Sequence, residues 1–245
     1  MRKTILTILA CVAAMLCQAQ ENPAYRIFTS DGEKTDYGTM LKALSKADVI
    51  FIGETHNCPI SHWIEYEVIS DMARKHPRGL VIGAEMLESD NQLLVDEYVS
   101  GVISSDRFES EAKLWDNHYT DYAPLLYLAR DKGFRFIATN VPRRYASFVK
   151  DNGLDALSGL SDAAKALMAP LPVAYDESTA ENEMFSFMNM MGGHGQQNHY
   201  AEAQALKDAT MAWFIAQNLD GKFIHVNGNF HSDHNGGIIP YLNIY

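Results

Sequence analysis

Two motifs in this chain place a carboxylate directly after a short apolar run. In residues 49–56, Val-Ile-Phe-Ile is followed by a glycine, then Glu54 and, two positions later, His56. Residues 80–86 repeat the arrangement and deliver Glu85. Runs of this length and β-branched content are typical of buried strands. Side chains two apart on an extended segment point to the same side, so Glu54 and His56 could act together.

Two further apolar runs, at residues 134–140 and 222–228, complete an alternation of strands with helices. This pattern predicts an α/β fold with a mostly parallel sheet flanked by helices. The carboxyl ends of parallel strands lie along one edge of the sheet, where ligands bind. We therefore expect one group of polar residues to converge there: Glu54, His56, Glu85, Asn140, Asn229 and His231.

The chemistry of this group rests on its two glutamates and two histidines. Glu54, His56, Glu85 and His231 could ligate a divalent transition metal or activate a water molecule for catalysis. Polar residues also follow ordinary core strands, where they cap helices or face solvent. The functional interpretation therefore depends on whether the four side chains meet.

A helix predicted at residues 59–75 carries His62, Glu65 and Tyr66 on one face, because spacings of three and four bring side chains together. This face either points at the predicted site, with Glu65 orienting His62, or forms an exposed pair on a solvated surface. The segment is not a zinc-protease helix, since it lacks a second histidine at the required spacing.

Aromatic and cationic residues flank the same predicted edge. Residues 115–124 form a loop in which Tyr119 and Tyr122 either wall a cleft or belong to the core. Arg143 follows the third strand closely and either pairs with an anionic group or is solvated.

The first residues predict export. Arg2 and Lys3 precede an apolar stretch too short to span a bilayer, and a cleavage before Gln20 fits the small-residue rule. Residues 1–19 are therefore interpreted as a signal peptide, followed by a single domain at 20–245. Neither cysteine of the leader ends a clear lipobox, so we expect a periplasmic or outer-membrane-associated protein without a firm lipid anchor.

Cysteine content and charge narrow the function classes further. Cys58 is the only cysteine after the predicted leader, so the mature chain forms no internal disulfide. Its place beside His56 allows a nucleophile, although a single cysteine is more often a small buried hydrophobe. With 31 acidic against 20 basic residues, the net charge of −11 argues against nucleic-acid binding, which needs a basic face.

A series of short motifs runs through nearly the whole mature chain, at residues 53–56, 83–86, 122–124, 138–142, 203–212, 228–231 and 237–240. In this order they resemble the ChaN-like haem-binding family of the Tiki superfamily. The resemblance implies an exported bacterial protein of iron and haem uptake. It also implies a homodimer around haem and, as partner, an outer-membrane haem transport system.

Residues 169–200 interrupt the alternation of strands and helices and are expected to form an inserted helical cap. Their segment 184–191 is rich in Met and Phe, which is either ordinary packing or, given the resemblance, a surface for a flat porphyrin. The resemblance then gives a group of candidate cofactor-binding residues: His194, His199 and Tyr200 as iron ligands, with Tyr122 and Arg143 nearby.

Two functions from different classes follow. The first is haem binding at the cap and dimer interface. The second is metal-dependent hydrolysis of a peptide or ester, since more distant members of the superfamily are hydrolases with an equivalent Glu/His cluster. There His56 would be the general base and the carboxylates would orient it.

Overall fold

The computed structural model describes residues 23–176 and 199–245. The predicted signal peptide, the Met/Phe-rich segment and His194 lie outside these residues. The chain divides between residues 40 and 41 into two compact units. Within the described ranges, no helix is both long and apolar enough to cross a membrane.

The smaller unit contains a short antiparallel hairpin of β1 (Ile27–Phe28) and β2 (Lys34–Thr35). Helix α1 (Tyr37–Leu44) begins in this unit. The Asp36 carboxylate accepts a hydrogen bond from the backbone N–H of Thr39 at 2.8 Å, which satisfies a donor of the first turn.

The larger unit is built on a parallel sheet with the strand order β3-β6-β4-β5, and it confirms the predicted α/β fold. Its strands are β3 (Val49–Glu54), β4 (Leu80–Glu88), β5 (Arg135–Asn140) and β6 (Lys222–Gly228). Each strand lies close to an apolar run predicted from the sequence.

Helices follow each strand. In chain order they are α2 (Pro59–Lys75), α3 (Gln92–Val99), α4 (Ser105–Glu111), α5 (Ala123–Lys132), α6 (Arg143–Asn152), α7 (Asp162–Lys165), α8 (Tyr200–Gln217) and α9 (Ile238–Leu242). A π-helical turn, His118–Tyr122, lies within the predicted loop at 115–124. Residues 169–176, the part of the predicted cap that is described before α8, contain no helix.

The central position of β4 explains its composition. It lies between β6 and β5, and every residue from Leu80 to Glu88 is buried. A Cβ atom at Gly83 would lie 2.6 Å from Cε1 of Phe223 on β6, so only glycine lets that ring pack directly on the strand. Two glutamates in so buried a strand therefore require specific partners.

Glu85 lies in an irregular part of β4. The pairing of β4 with β5 shifts register between Ala84 and Glu88, and bulges of this kind redirect side chains. Asn140, at the end of β5, donates a hydrogen bond from Nδ2 to the carbonyl of Glu85 at 3.0 Å. The carboxylate of Glu85 lines a cavity at the edge where the strands end.

Candidate functional site

A cavity of about 320 Å³ lies at the carboxyl edge of the sheet, as the parallel arrangement predicts. Its walls come from β4, β5, the turn after β6, and the start of helices α6 and α8. The lining residues are His56, Glu85, Glu88, Trp115, Asn140, Val141, Arg143, Tyr200, Gln204, Lys207, Phe230 and His231. The structure therefore brings together His56, Glu85, Asn140 and His231. Asn229, which was expected with them, is not among the lining residues, but its neighbour Phe230 is.

Glu54 lies behind His56 and holds its imidazole. His56 Nδ1 is 2.6 Å from Oε1 of Glu54, and the hydroxyl of Tyr122 donates to the same oxygen at 2.7 Å. Burial opposes ionisation of Glu54, but His56, Glu65 and Tyr122 outweigh it and lower its pKa.

The His56 side chain is 40 % exposed, and its ring packs edge-on against Trp115 with centroids 4.9 Å apart. The hydrogen bond to Glu54 raises the pKa of His56. Because Nδ1 is engaged by the carboxylate, Nε2 is the nitrogen available to a ligand or a proton.

A second histidine is held between two carboxylates. His231 Nδ1 is 2.5 Å from Oδ1 of Asp208, and its Nε2 is 3.3 Å from Oε1 of Glu85. Burial disfavours the imidazolium, but Asp208 and Glu85 outweigh it and raise the pKa of His231 to about 10. Burial likewise opposes ionisation of Glu85, yet His231 and the backbone N–H of Gly228 lower its pKa to about 2.

Asp208 is the main site residue that the sequence reasoning missed. It lies on α8, whose apolar positions Leu206 and Ala209 are fully buried, as their helical spacing predicts. The available signal was a carboxylate within this buried stripe, because a charged residue seldom occupies such a position without a partner.

A third cluster settles the orientation of α2. His62 and Glu65 point toward the site and are buried, so they are not an exposed pair. His62 Nδ1 lies 2.8 Å from Oε2 of Glu54 and 3.4 Å from Oε2 of Glu65. Burial, followed by the nearby charge of Glu54, raises the pKa of Glu65 to about 9.

Within the described residues, Glu54, His62 and Glu65 form a group whose ligand atoms lie close enough to hold a metal ion, all within 4.8 Å of one another. This group shares only Glu54 with the metal set predicted from the sequence. The other three members of that set, His56, Glu85 and His231, face the cavity instead.

The predicted cofactor-binding residues separate into two groups. Tyr200 and Arg143 line the cavity. Tyr122 is buried against Glu54. Of its two predicted roles, in the wall of a cleft or in the core, the structure therefore favours the core. His199 is not part of the cavity wall, and its ring is paired with Glu202 beside Gly153.

The cavity has a mixed electrostatic character. Arg143 and Lys207 contribute cations, and the buried carboxylate of Glu88 lies between Arg143 at 3.8 Å and Lys113 at 3.3 Å. Trp115 and Phe230 add aromatic surface, with Phe230 43 % exposed. Such a cleft suits a ligand that combines an apolar body with anionic groups.

Two other histidines belong to the core. His118 lies in the π-helical turn, and His225 lies in β6, where its ring nitrogens contact Thr139 at 2.7 Å and Asn227 at 3.0 Å. Burial lowers the pKa of each to about 4, so both are neutral at pH 7.

Comparison with solved structures found similar chains. The structure of cofacial heme binding to ChaN of Campylobacter jejuni matches with a TM-score of 0.68 and 19 % identity, covering 91 % of this chain and 87 % of that chain. RRSP, a MARTX toxin effector domain from Vibrio vulnificus, matches with a TM-score of 0.46 and 19 % identity, covering 84 % of this chain and 32 % of that chain.

Sequence comparisons give one curated relative and a family. Protein RETICULATA-RELATED 5, chloroplastic, from Arabidopsis thaliana is 24 % identical over 133 residues. That match covers 52 % of this chain but 18 % of the plant protein. The model of the family described as "Haem-binding uptake, Tiki superfamily, ChaN" matches residues 40–242, so the chain belongs to this family.

Proposed function

We propose that this protein binds haem in the cavity at the carboxyl edge of its sheet. The observation that carries the proposal is the presence, in one cleft, of an imidazole and a phenol with aromatic walls and two cations. Membership of the ChaN family supports the same ligand.

The residues present fit the parts of a haem group. His56 offers Nε2 and Tyr200 offers a phenolic oxygen, and both residue types ligate haem iron. Trp115 and Phe230 provide apolar surface for a flat ring. Arg143 and Lys207 are suited to the propionate carboxylates at the ring edge.

The wider function is haem or iron uptake in a bacterium after export through the predicted signal peptide. By analogy with the cofacial heme binding of Campylobacter jejuni ChaN, two copies of this chain would enclose haem between them. The segment 169–200, with His194, would then contribute at the interface. An outer-membrane haem transport system is the expected partner.

A haem titration tests the proposal. Haem is added to the purified protein, and the Soret band and the molecular mass in solution are followed together. We expect saturable binding of one haem per chain with formation of a dimer. Tyr200→Phe should weaken binding, whereas Tyr127→Phe, which alters an exposed tyrosine on α5 away from the cavity, should not. A titration without saturation would refute the proposal.

A second candidate function, hydrolysis, is favoured by one observation. Two histidines facing one cavity are each oriented by a carboxylate, His56 by Glu54 and His231 by Asp208. With haem absent, His56 could take a proton from a water molecule that attacks an ester or peptide carbonyl. It would then return the proton to the alcohol or amine that leaves as its bond to the carbonyl carbon breaks. Haem-free protein screened against ester and peptide substrates tests this, with His56→Asn expected to abolish any turnover.

A further inference from the structure

Behind His56, away from the cavity wall, lies a buried cluster of two carboxylates and one imidazole. The side chains of Glu54, His62 and Glu65 are 0 %, 6 % and 1 % exposed, respectively. We propose that Glu54, His62 and Glu65 bind a divalent transition metal ion at a site distinct from the haem cleft.

The first argument concerns two buried carboxylate oxygens, which are potential metal ligands. Oε1 of Glu65 is fully buried and has no hydrogen-bond partner, and Oε2 of Glu54, equally buried, faces only the imidazole of His62 at 2.8 Å. The other oxygen of Glu54 is already engaged by His56 and Tyr122. A buried carboxylate oxygen without a partner is costly, and a cation is one of the few groups that can satisfy it.

The second argument concerns the imidazole. Nε2 of His62 is 3.0 Å from the backbone carbonyl of His56, and it is also 3.4 Å from Oδ2 of Asp121. The carbonyl can only accept, so Nε2 carries a hydrogen and Nδ1 is the nitrogen turned toward the carboxylates. Metal-binding histidines are typically oriented in this way, through a hydrogen bond from the nitrogen that does not bind.

The third argument follows from the first two. Nδ1 of His62 lies 2.8 Å from Oε2 of Glu54. Only a positively charged species between them, a proton or a metal ion, makes this approach favourable. A divalent ion bound here would neutralise both carboxylates at once.

The geometry and donor types limit the ion. Ligand atoms within 4.8 Å of one another can converge on one ion at about 2.0–2.2 Å from each after small side-chain movements. One imidazole with two carboxylates suits Zn²⁺, Mn²⁺ or Fe²⁺. The site does not require haem, so its failure and the failure of the haem proposal are separate results.

Metal titration of haem-free protein tests the proposal. The purified protein is dialysed against a chelator, checked for the absence of a Soret band, and titrated separately with Zn²⁺ and Mn²⁺. Bound metal is measured by mass spectrometry after gel filtration, and the Tm is measured in parallel. We expect one ion per chain and a higher Tm with the ion bound.

Two matched variants identify the site. Glu65→Gln keeps the shape of the side chain but replaces a charged ligand with a neutral, weaker one, so binding should weaken at least ~10-fold and the rise in Tm should shrink accordingly. Glu67→Gln alters another glutamate of α2, outside both the cluster and the cavity wall, and should bind the ion as the wild type does. If Glu65→Gln does not fold by circular dichroism, His62→Gln replaces it.

The opposite results would overturn the proposal. These are the absence of a stoichiometric ion in the wild type, or equal affinity in wild type and Glu65→Gln. Loss of the ion in Glu85→Gln with retention in Glu65→Gln would instead place the metal among the cavity residues.

Discussion

The imidazole of His231 lies 2.5 Å from the carboxylate of Asp208, although 23 positions separate the two residues in the chain. Helix α8 supplies the aspartate, and the turn after β6 supplies the histidine. The other ring nitrogen reaches Glu85 on β4. This buried cation between two carboxylates connects the helical layer to the end of the sheet.

Asp208→Asn should destabilise the fold. The substitution removes one partner of a buried ion pair, and such changes cost about 3–5 kcal/mol; because Glu85 still balances His231, we expect about 3 kcal/mol. The measurement is the free energy of unfolding in urea. Asp151→Asn, which changes an exposed aspartate on α6, should stay within about 0.5 kcal/mol of the wild type.

The same pair predicts how stability depends on pH. The folded pKa of His231, about 10, is above its ordinary value of 6.5. Its contribution to the free energy of unfolding is therefore complete below pH 6.5 and is lost as the pH rises through 10. The folded pKa of Glu85, about 2, is below 4.5, so its contribution is complete above pH 4.5 and is lost as the pH falls through 2.

Urea unfolding across this pH range measures both effects. The free energy of unfolding should decrease from pH 6.5 toward pH 10, and it should also decrease from pH 4.5 toward pH 2. His231→Gln should reduce the alkaline decrease. An unchanged alkaline decrease in this variant would show that another group causes it.

Gly228→Ala should displace His56 and weaken haem binding. A Cβ atom at this position would lie 2.8 Å from Nε2 and 2.9 Å from Cε1 of the imidazole, which is too close, so the ring must move. Displacement of the imidazole from its binding position should weaken the affinity for haem ~10-fold or more.

The matched control for this glycine is Gly159→Ala, because nothing lies within 4 Å of the added methyl group. Both affinities are read from Soret titrations, and circular dichroism shows whether each variant folds. Equal affinity in Gly228→Ala and wild type would remove His56 from the haem site.

Replacing the two cavity cations should weaken binding of haem more than binding of its dimethyl ester. Arg143→Gln with Lys207→Gln removes the proposed partners of the propionates, and two partly exposed ion pairs together account for roughly a 3- to 10-fold change in Kd. The ester carries no carboxylates, so its affinity should change little. Lys132→Gln, at the end of α5, is the control.

Much of the fold could be predicted because its signals are local. The runs that form β3 and β6 are apolar and β-branched, and the helix predicted at residues 59–75 has the observed bounds of α2. The alternation of strands with helices predicts a parallel sheet, whose geometry alone places the ends of β3, β4, β5 and β6 on one edge.

The site could be predicted only in part. The strand-end rule correctly placed His56, Glu85 and His231 around one cavity. It did not find Asp208. It also could not decide whether the helix face with His62 and Glu65 points at the site or is exposed to solvent. The signal peptide, the dimer and the cap ligand His194 stay predictions.

The sequence by itself determined which residues end the strands, because strand length, glycine position and side-chain alternation are properties of neighbouring residues. Only the tertiary structure decided which side chains meet: His231 with Asp208, and His62 with Glu54. The physical reason is that these partners come from different elements, and their contact depends on how α8 and α2 pack against the sheet. Burial at that contact then sets the pKa values and the binding chemistry that residue types alone leave open.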